Sequence, residues 1–130
     1  MKFKMIQRGK QVLKCYEIEI AKYKHFYNIW LDIDEALLIF TMLERRYKIK
    51  VPKITFNYKS KNHGGWTKQN GEVKLKKNYL NLGIICHEYI HVYELIKFKK
   101  TKHDRKFYKR LDRVIKFIEK NLELAIKCAI

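Results

Sequence analysis

The stretch Leu82-Gly83-Ile84-Ile85-Cys86-His87-Glu88-Tyr89-Ile90-His91-Val92-Tyr93-Glu94-Leu95-Ile96-Lys97-Phe98 decides how this chain is read. It is apolar on nearly every side, as a central helix covered by other elements must be. Inside it lies His87-Glu88-Tyr89-Ile90-His91, an H-E-x-x-H pattern. On a helix, residues four apart share a face, so both imidazoles can reach one metal ion. Glu88 then sits where it can act on a zinc-activated water. Two histidines do not complete such a site, because a catalytic zinc takes three protein ligands and keeps one position open. His103 and Glu94 are the candidates for the third. His103 follows a loop that can fold back over the metal face. Glu94 is one helical turn past His91, too far along the axis to share one ion, and suits a charge partner of Lys97 or a group behind the ligands. His103 is therefore the favoured third ligand. Cys86 adjoins His87 but points about 100° round the helix and should not share the metal. His25 and His63 have no partner at ligand spacing.

The flanking sequence predicts the other elements. Upstream, Asp32 or Asp34 is a plausible N-cap for a helix to about Tyr47, with Ala36, Leu37, Phe40, Leu43 and Tyr47 on its apolar face. Lys53 to Tyr58 reads as a strand with Ile54, Phe56 and Tyr58 on one side. Asn62 to Gly65 is a turn, Trp66-Thr67 starts a second short strand, Asn70-Gly71 is a hairpin signal, and Glu72 to Lys76 is a further strand. That last strand is a candidate exposed edge for aligning an extended substrate. Downstream of the motif, a basic loop leads to a final helix starting near His103-Asp104, where Asp104 is best read as a cap. Its stripe is Phe107, Leu111, Val114, Ile115, Ile118 and Leu122. Residues 1–31 are the least readable: Val12, Tyr16, Ile20, Tyr23, Tyr27 and Trp30 recur at helical spacing, although Cys15 to Ile20 also alternates like a strand. The order of elements predicts an α+β domain over 32–130, with a short antiparallel sheet on a central H-E-x-x-H helix, and an N-terminal extension, 1–31, that is helical and packed on the core.

At 130 residues the chain fits one domain. Thirty Lys and Arg against 13 Asp and Glu give a net charge of +17. Such a charge favours polyanions, nucleic acid first, although Lys enrichment also follows from an AT-rich genome. The basic residues cluster: Lys99, Lys100 and Lys102 in the loop, and Arg105, Lys106, Lys109, Arg110 and Arg113 on the final helix, are the candidate phosphate contacts. Tyr23, His25, Phe26, Tyr27 and Trp30, interleaved with Lys22 and Lys24, are candidate base-stacking residues, with core packing as the alternative. The three cysteines, Cys15, Cys86 and Cys128, show no metal or disulfide spacing. With no apolar leader at the start and no run of 18 apolar residues, the expected location is intracellular, with no signal peptide and no membrane span.

His87-Glu88-Tyr89-Ile90-His91 followed by His103-Asp104-Arg105-Lys106-Phe107-Tyr108 resembles the SprT-like and WLM zinc metallopeptidases. Those families show H-E-x-x-H, a variable gap, then His-Gly or His-Asp, two residues and Phe. Gly65-Trp66-Thr67 and Gly71-Glu72-Val73-Lys74-Leu75 look like the family's strand, turn and "G-x-I-x-L" strand ahead of the catalytic helix. The resemblance covers about residues 33–115. It implies one zinc per chain on His87, His91 and His103, Glu88 as general base, and a minimal zincin-like fold. It also implies an endopeptidase acting on DNA-associated or DNA-crosslinked proteins, as the family member Spartan does. Two other classes stay open: a nucleic-acid-binding module with a structural or vestigial zinc site, and a zinc hydrolase of a non-protein substrate. Tyr89, Tyr93 and Tyr108 lie near the motif in sequence and are read mainly as packing residues; the oxyanion stabiliser is left open.

Overall fold

The computed structural model describes residues 17–61 and 63–129, with side chains as far as Leu122. Val12, Cys15, Tyr16 and Asn62, and the side chain of Cys128, lie outside the described residues. The chain is α+β. Residues 17–22 are helical (α1), followed by a single turn, α2 (Lys24–Tyr27), and a longer helix, α3 (Ile33–Tyr47). Three short strands come next: β1 (Ile54–Thr55), β2 (Gly65–Thr67) and β3 (Val73–Leu75). A 3-10 turn at Lys77–Tyr79 leads into α4 (Leu82–Phe98), and α5 (Arg105–Ala129) closes the described chain.

Each long helix starts where its capping chemistry puts it. Asp32 accepts from the Glu35 backbone N–H at 2.8 Å while Glu35 reaches back to the Asp32 N–H at 3.0 Å, a reciprocal capping box. Asn81 caps α4 by accepting from the Ile84 N–H at 2.8 Å, and Asp104 accepts from the Phe107 N–H at 3.0 Å at the start of α5. Such a cap is worth about 1 kcal/mol. Both α3 and α4 end on a lysine in the left-handed conformation, Lys48 and Lys99. The buried face of α3 is Ala36, Ile39, Phe40 and Leu43; Leu37, expected on it, is exposed.

The sheet is mixed, not antiparallel as the sequence suggested. Its order is β1-β3-β2. β2 and β3 form a hairpin around Asn70-Gly71, where Gly71 takes a positive φ of 89° and Asn70 accepts from the Glu72 N–H at 3.0 Å. β1 lies on the other side of β3 and runs parallel to it, pairing Ile54 with Val73. The connection from β1 to β2 is long enough to carry the chain across β3. Just past β1, before that crossing, Asn57 makes an isolated antiparallel bridge to Lys76. The strand predicted over Lys53 to Tyr58 is therefore only two residues long. β3 is central, so it is not the exposed edge; β2 is an edge, and no described strand covers its outer side.

α4 is the centre of the molecule. Leu82 to Val92, Glu94 and Leu95 are all buried, covered by α2, α3, β2 and α5. The stripe of α5, Phe107, Leu111, Val114, Ile115 and Ile118, packs into the same core. Residues 17–31 pack on that core through one face. Tyr23, Phe26 and Tyr27 are buried, and the Leu31 N–H donates to the Leu80 carbonyl while the Leu82 N–H donates to the Ile29 carbonyl. Among the described residues, no helix is long and apolar enough to cross a membrane.

Candidate metal centre and its carboxylate

The pitch of α4 sets His87 and His91 one above the other on the face toward the loop 99–104. That loop, held by the Asp104 cap, returns His103 to them. The three Nε2 atoms form a tight triangle: 3.2 Å between His87 and His91, 3.1 Å between His87 and His103, and 3.0 Å between His91 and His103. Phe107 lies against all three rings at centroid distances of 4.7 to 5.1 Å and walls the site from the α5 side.

Two groups behind the rings decide which nitrogens carry hydrogen. The Nδ1 of His87 donates to both oxygens of Glu19, at 2.9 and 3.0 Å, with both side chains buried. Glu19 also accepts from the hydroxyl of Tyr27. Burial alone would raise the Glu19 carboxyl and lower the His87 imidazole. Their mutual attraction outweighs it, holding Glu19 below and His87 above the ordinary range. The second group is Thr101. Its single hydroxyl proton goes to Glu94 at 2.7 Å, so it accepts from the Nδ1 of His91 at 2.8 Å. Glu94 is held in turn by Arg110. In the neutral form of both histidines the hydrogen is drawn to Nδ1, leaving the Nε2 lone pair aimed at the centre.

This arrangement fits a metal ion. Two lone pairs facing each other at 3.2 Å, as in His87 and His91, repel unless a cation or a shared proton lies between them. A tetrahedral zinc with bonds of about 2.0–2.1 Å separates its ligand nitrogens by about 3.3–3.4 Å, close to the spacing present. Ligation requires neutral imidazoles. Burial, followed by the charge of His87, holds His91 well below its usual range and His103 at about 4.

Glu88 is one residue round α4 from His87 and is buried, 4% exposed. Burial pushes its carboxyl up to about 7, against the opposing pull of His87 and Thr67. The Thr67 hydroxyl lies 3.4 Å from both a carboxylate oxygen and the backbone carbonyl of Glu88. The strand can come this close because Gly65 has no side chain. A Cβ there would stand 2.9 Å from Leu75 Cδ2 and 3.3 Å from Glu88 Cγ. β2 thus lies directly over the carboxylate.

The structure brings His87, His91, His103 and Glu88 together, and gives Glu94 to Thr101 and Arg110 instead of to the centre. Cys86 is buried and free, its thiol pushed up by burial and away from ionisation. Tyr89 donates to the Ile49 carbonyl at 2.7 Å and ties the loop after α3 to α4, so it is a packing residue. Tyr93 lies beside Lys97, Phe98 and Arg110. Lys99, Lys100, Lys102, Arg105, Lys106, Lys109 and Arg113 are exposed around the loop and α5. Arg110 is not available to phosphate in the same way, because it is turned in to Glu94. The expected base-stacking cluster is mostly core: Tyr23, Phe26 and Tyr27 are buried, His25 bonds Glu119 at 2.9 Å, and only Trp30 presents a large exposed ring.

Sequence reasoning missed Glu19, Thr101, Thr67 and the role of Gly65. A signal for Glu19 was present: it precedes Tyr23 and Tyr27 by four and eight residues, which puts an acid on the apolar face of a helical stretch. Thr101 carried no signal, being one polar residue in a basic loop. No family model matches the chain, and no curated protein and no solved structure matches it either.

Proposed function

We propose that the chain is a zinc-dependent endopeptidase of SprT-like type, with a zincin-like core, acting inside the cell on proteins associated with or crosslinked to DNA. The observation that carries the proposal is the convergence of the His87, His91 and His103 Nε2 atoms within 3.2 Å beside the buried carboxylate of Glu88. His87, His91 and His103 would hold the ion. A zinc ion bound there supplies a Lewis acid that polarises a carbonyl oxygen and brings the pKa of a water toward 7.

The remaining work falls to the chain's own groups. Glu88, with a carboxyl at about 7, can both take and return a proton at neutral pH, which amide hydrolysis needs for nucleophile and leaving amine. A structural metal site needs ligands but no such base. In the neutral imidazoles, Glu19 and Thr101 hold the hydrogen of His87 and His91 on Nδ1, so that each Nε2 is the ligating atom and is aimed at the centre. β2 supplies an edge for an extended peptide. The Lys76 N–H donates to Gly64 and the Lys68 N–H to Glu72, so the even-numbered residues of this strand face β3. The N–H and C=O of Gly65 and Thr67 therefore point outward. A peptide paired there would run past Thr67 and Glu88.

The test is zinc content and cleavage of casein and of a DNA-bound protein, with and without DNA, for the wild type and Glu88→Gln. One zinc per chain in both, with cleavage only in the wild type and faster with DNA, is the expected result. Equal zinc with no cleavage of any protein, and DNA binding unchanged by Glu88→Gln, would make the chain a binding module instead. Metal-dependent hydrolysis of only a non-peptide bond would make it a hydrolase of another class.

A further inference from the structure

The outer face of the sheet, on the side away from α4, carries a second surface. Val73 and Leu75 of β3 point inward to the core, so Lys74 and Lys76 point outward. Trp66, paired with Lys74 across the hairpin, is on the same face and 48% exposed. From the other side of β3, Tyr58 donates its backbone N–H to Leu75 and brings its ring to 6.4 Å from that of Trp66, tilted by 30°. The Lys74 ammonium stands 5.9 Å from the Trp66 ring. Beside these rings lies an open cleft of about 960 Å³. Its lining includes Tyr58, Lys59, Lys61, Lys76 and Lys77, and none of the described residues lining it is acidic. Glu72, two residues before Lys74 on the same strand face, is engaged by Lys68 at 3.8 Å.

We infer that this face binds single-stranded nucleic acid, with bases on Trp66 and Tyr58 and phosphates along Lys59, Lys61, Lys76 and Lys77. Lysines alone would suit any polyanion. Neighbouring aromatic rings, exposed Trp66 and half-buried Tyr58, set among cations on a sheet face, suit unpaired bases, which a duplex does not offer. The inference rests on the nucleic-acid part of the function proposed above and not on its hydrolytic part. It moves the contact from α5, where the sequence put it, to the sheet whose edge strand passes over Glu88. A strand bound here would bring a protein attached to it toward β2.

The full chain carrying Trp30→Phe keeps Trp66 as its one tryptophan, so its emission reports this face. Titration with oligothymidylate should quench that emission, and the matching duplex should bind more weakly. Trp66→Ala should weaken oligothymidylate binding, measured by anisotropy, by about tenfold. Replacing Lys59, Lys61, Lys76 and Lys77 together by Ser should flatten the dependence of log affinity on log salt by about 0.7 for each phosphate no longer neutralised. A control replaces Arg105, Lys109 and Arg113 by Ser and should bind nearly as the wild type does. The inference is overturned if the sheet variants bind normally while the α5 variant does not. It is equally overturned if polyglutamate binds as tightly as oligothymidylate and ignores Trp66→Ala, which would mark an acidic-peptide site. Binding of neither would overturn the inference together with the nucleic-acid part of the proposed function, and would leave the cleavage assay to judge the rest.

Discussion

Glu19 and His87 are 68 residues apart in sequence and joined by a buried bidentate contact at 2.9 and 3.0 Å. The contact makes residues 17–22 part of the candidate metal centre. A carboxylate on the far nitrogen of a ligating histidine fixes its tautomer and raises its basicity, and loss of such a partner typically costs 10- to 100-fold in metal affinity. Glu19→Gln, which keeps an acceptor but loses the charge, should weaken zinc binding by about tenfold, and Glu19→Ala by nearer a hundredfold. Competition against a chromophoric chelator measures this, and a cobalt-loaded sample shows separately whether the ligand field has changed. Wild-type affinity and an unaltered cobalt spectrum in Glu19→Ala would reduce the contact to packing.

Metal uptake should release protons in a way set by these neighbours. At pH 6.5 His87, raised above its ordinary value by Glu19, is more than half protonated, whereas His91 and His103, held low by burial, are already neutral. Zinc binding at that pH should displace the His87 proton, and a further one from Glu88, whose carboxyl lies near 7. Calorimetry in buffers of different ionisation enthalpy counts them. Glu88→Gln should lower the count, and Glu19→Gln should lower the part owed to His87. A count that neither substitution changes would mean that the protons come from elsewhere.

The legibility of this chain followed the range of its interactions. α3, α4 and α5 were readable because their evidence is local: a 3.6-residue apolar period and a capping aspartate, Asp32 and Asp104, for α3 and α5, and an unbroken apolar run for α4. His87, Glu88 and His91 were readable for the same reason, since one helix sets their geometry. The hairpin of β2 and β3 was legible too, from Asn70-Gly71 and the alternation that buries Val73 and Leu75. β1 was not: two residues are too short to show alternation, and its parallel pairing with β3 depends on where a nine-residue connection carries the chain. Glu19 was marked only as an acid on an apolar face; its contact with His87, 68 residues on, and the contacts of Thr101 are set by the fold and not by spacing.

Burying Glu88 carries a cost that depends on pH. Its folded carboxyl lies at about 7 and its ordinary value is 4.5, so the folded state holds the proton more tightly. That contribution to stability is fully present below pH 4.5 and is lost as pH rises through 7. In the metal-free protein the ionised form should cost on the order of 3 kcal/mol above that range. Glu88→Gln removes the titration. The variant and the wild type, both treated with chelator, should unfold at similar urea concentrations at pH 4, and the variant should be clearly the more stable at pH 8. A difference that stays the same from pH 4 to pH 8 would show that Glu88 titrates normally.

Gly83 in the first turn of α4 explains how Glu19 is kept in place. A Cβ at Gly83 would lie 2.6 to 2.7 Å from the ring of Tyr27, whose hydroxyl donates to Glu19. The missing side chain lets that ring lie flat on the helix and puts its hydroxyl on the carboxylate. In a helix, Gly→Ala by itself stabilises by about 1 kcal/mol. Here the clash should reverse the sign, so that Gly83→Ala destabilises by about 1–3 kcal/mol, as overpacking does. It should also weaken zinc binding in step with Tyr27→Phe, which removes only the hydroxyl. The decisive comparison is a double-mutant cycle followed by thermal unfolding. With Tyr27→Ala already present, Gly83→Ala should become neutral or stabilising, because nothing then opposes the new methyl group. If Gly83→Ala destabilises equally in both backgrounds, the contact between Gly83 and Tyr27 does not hold the centre together.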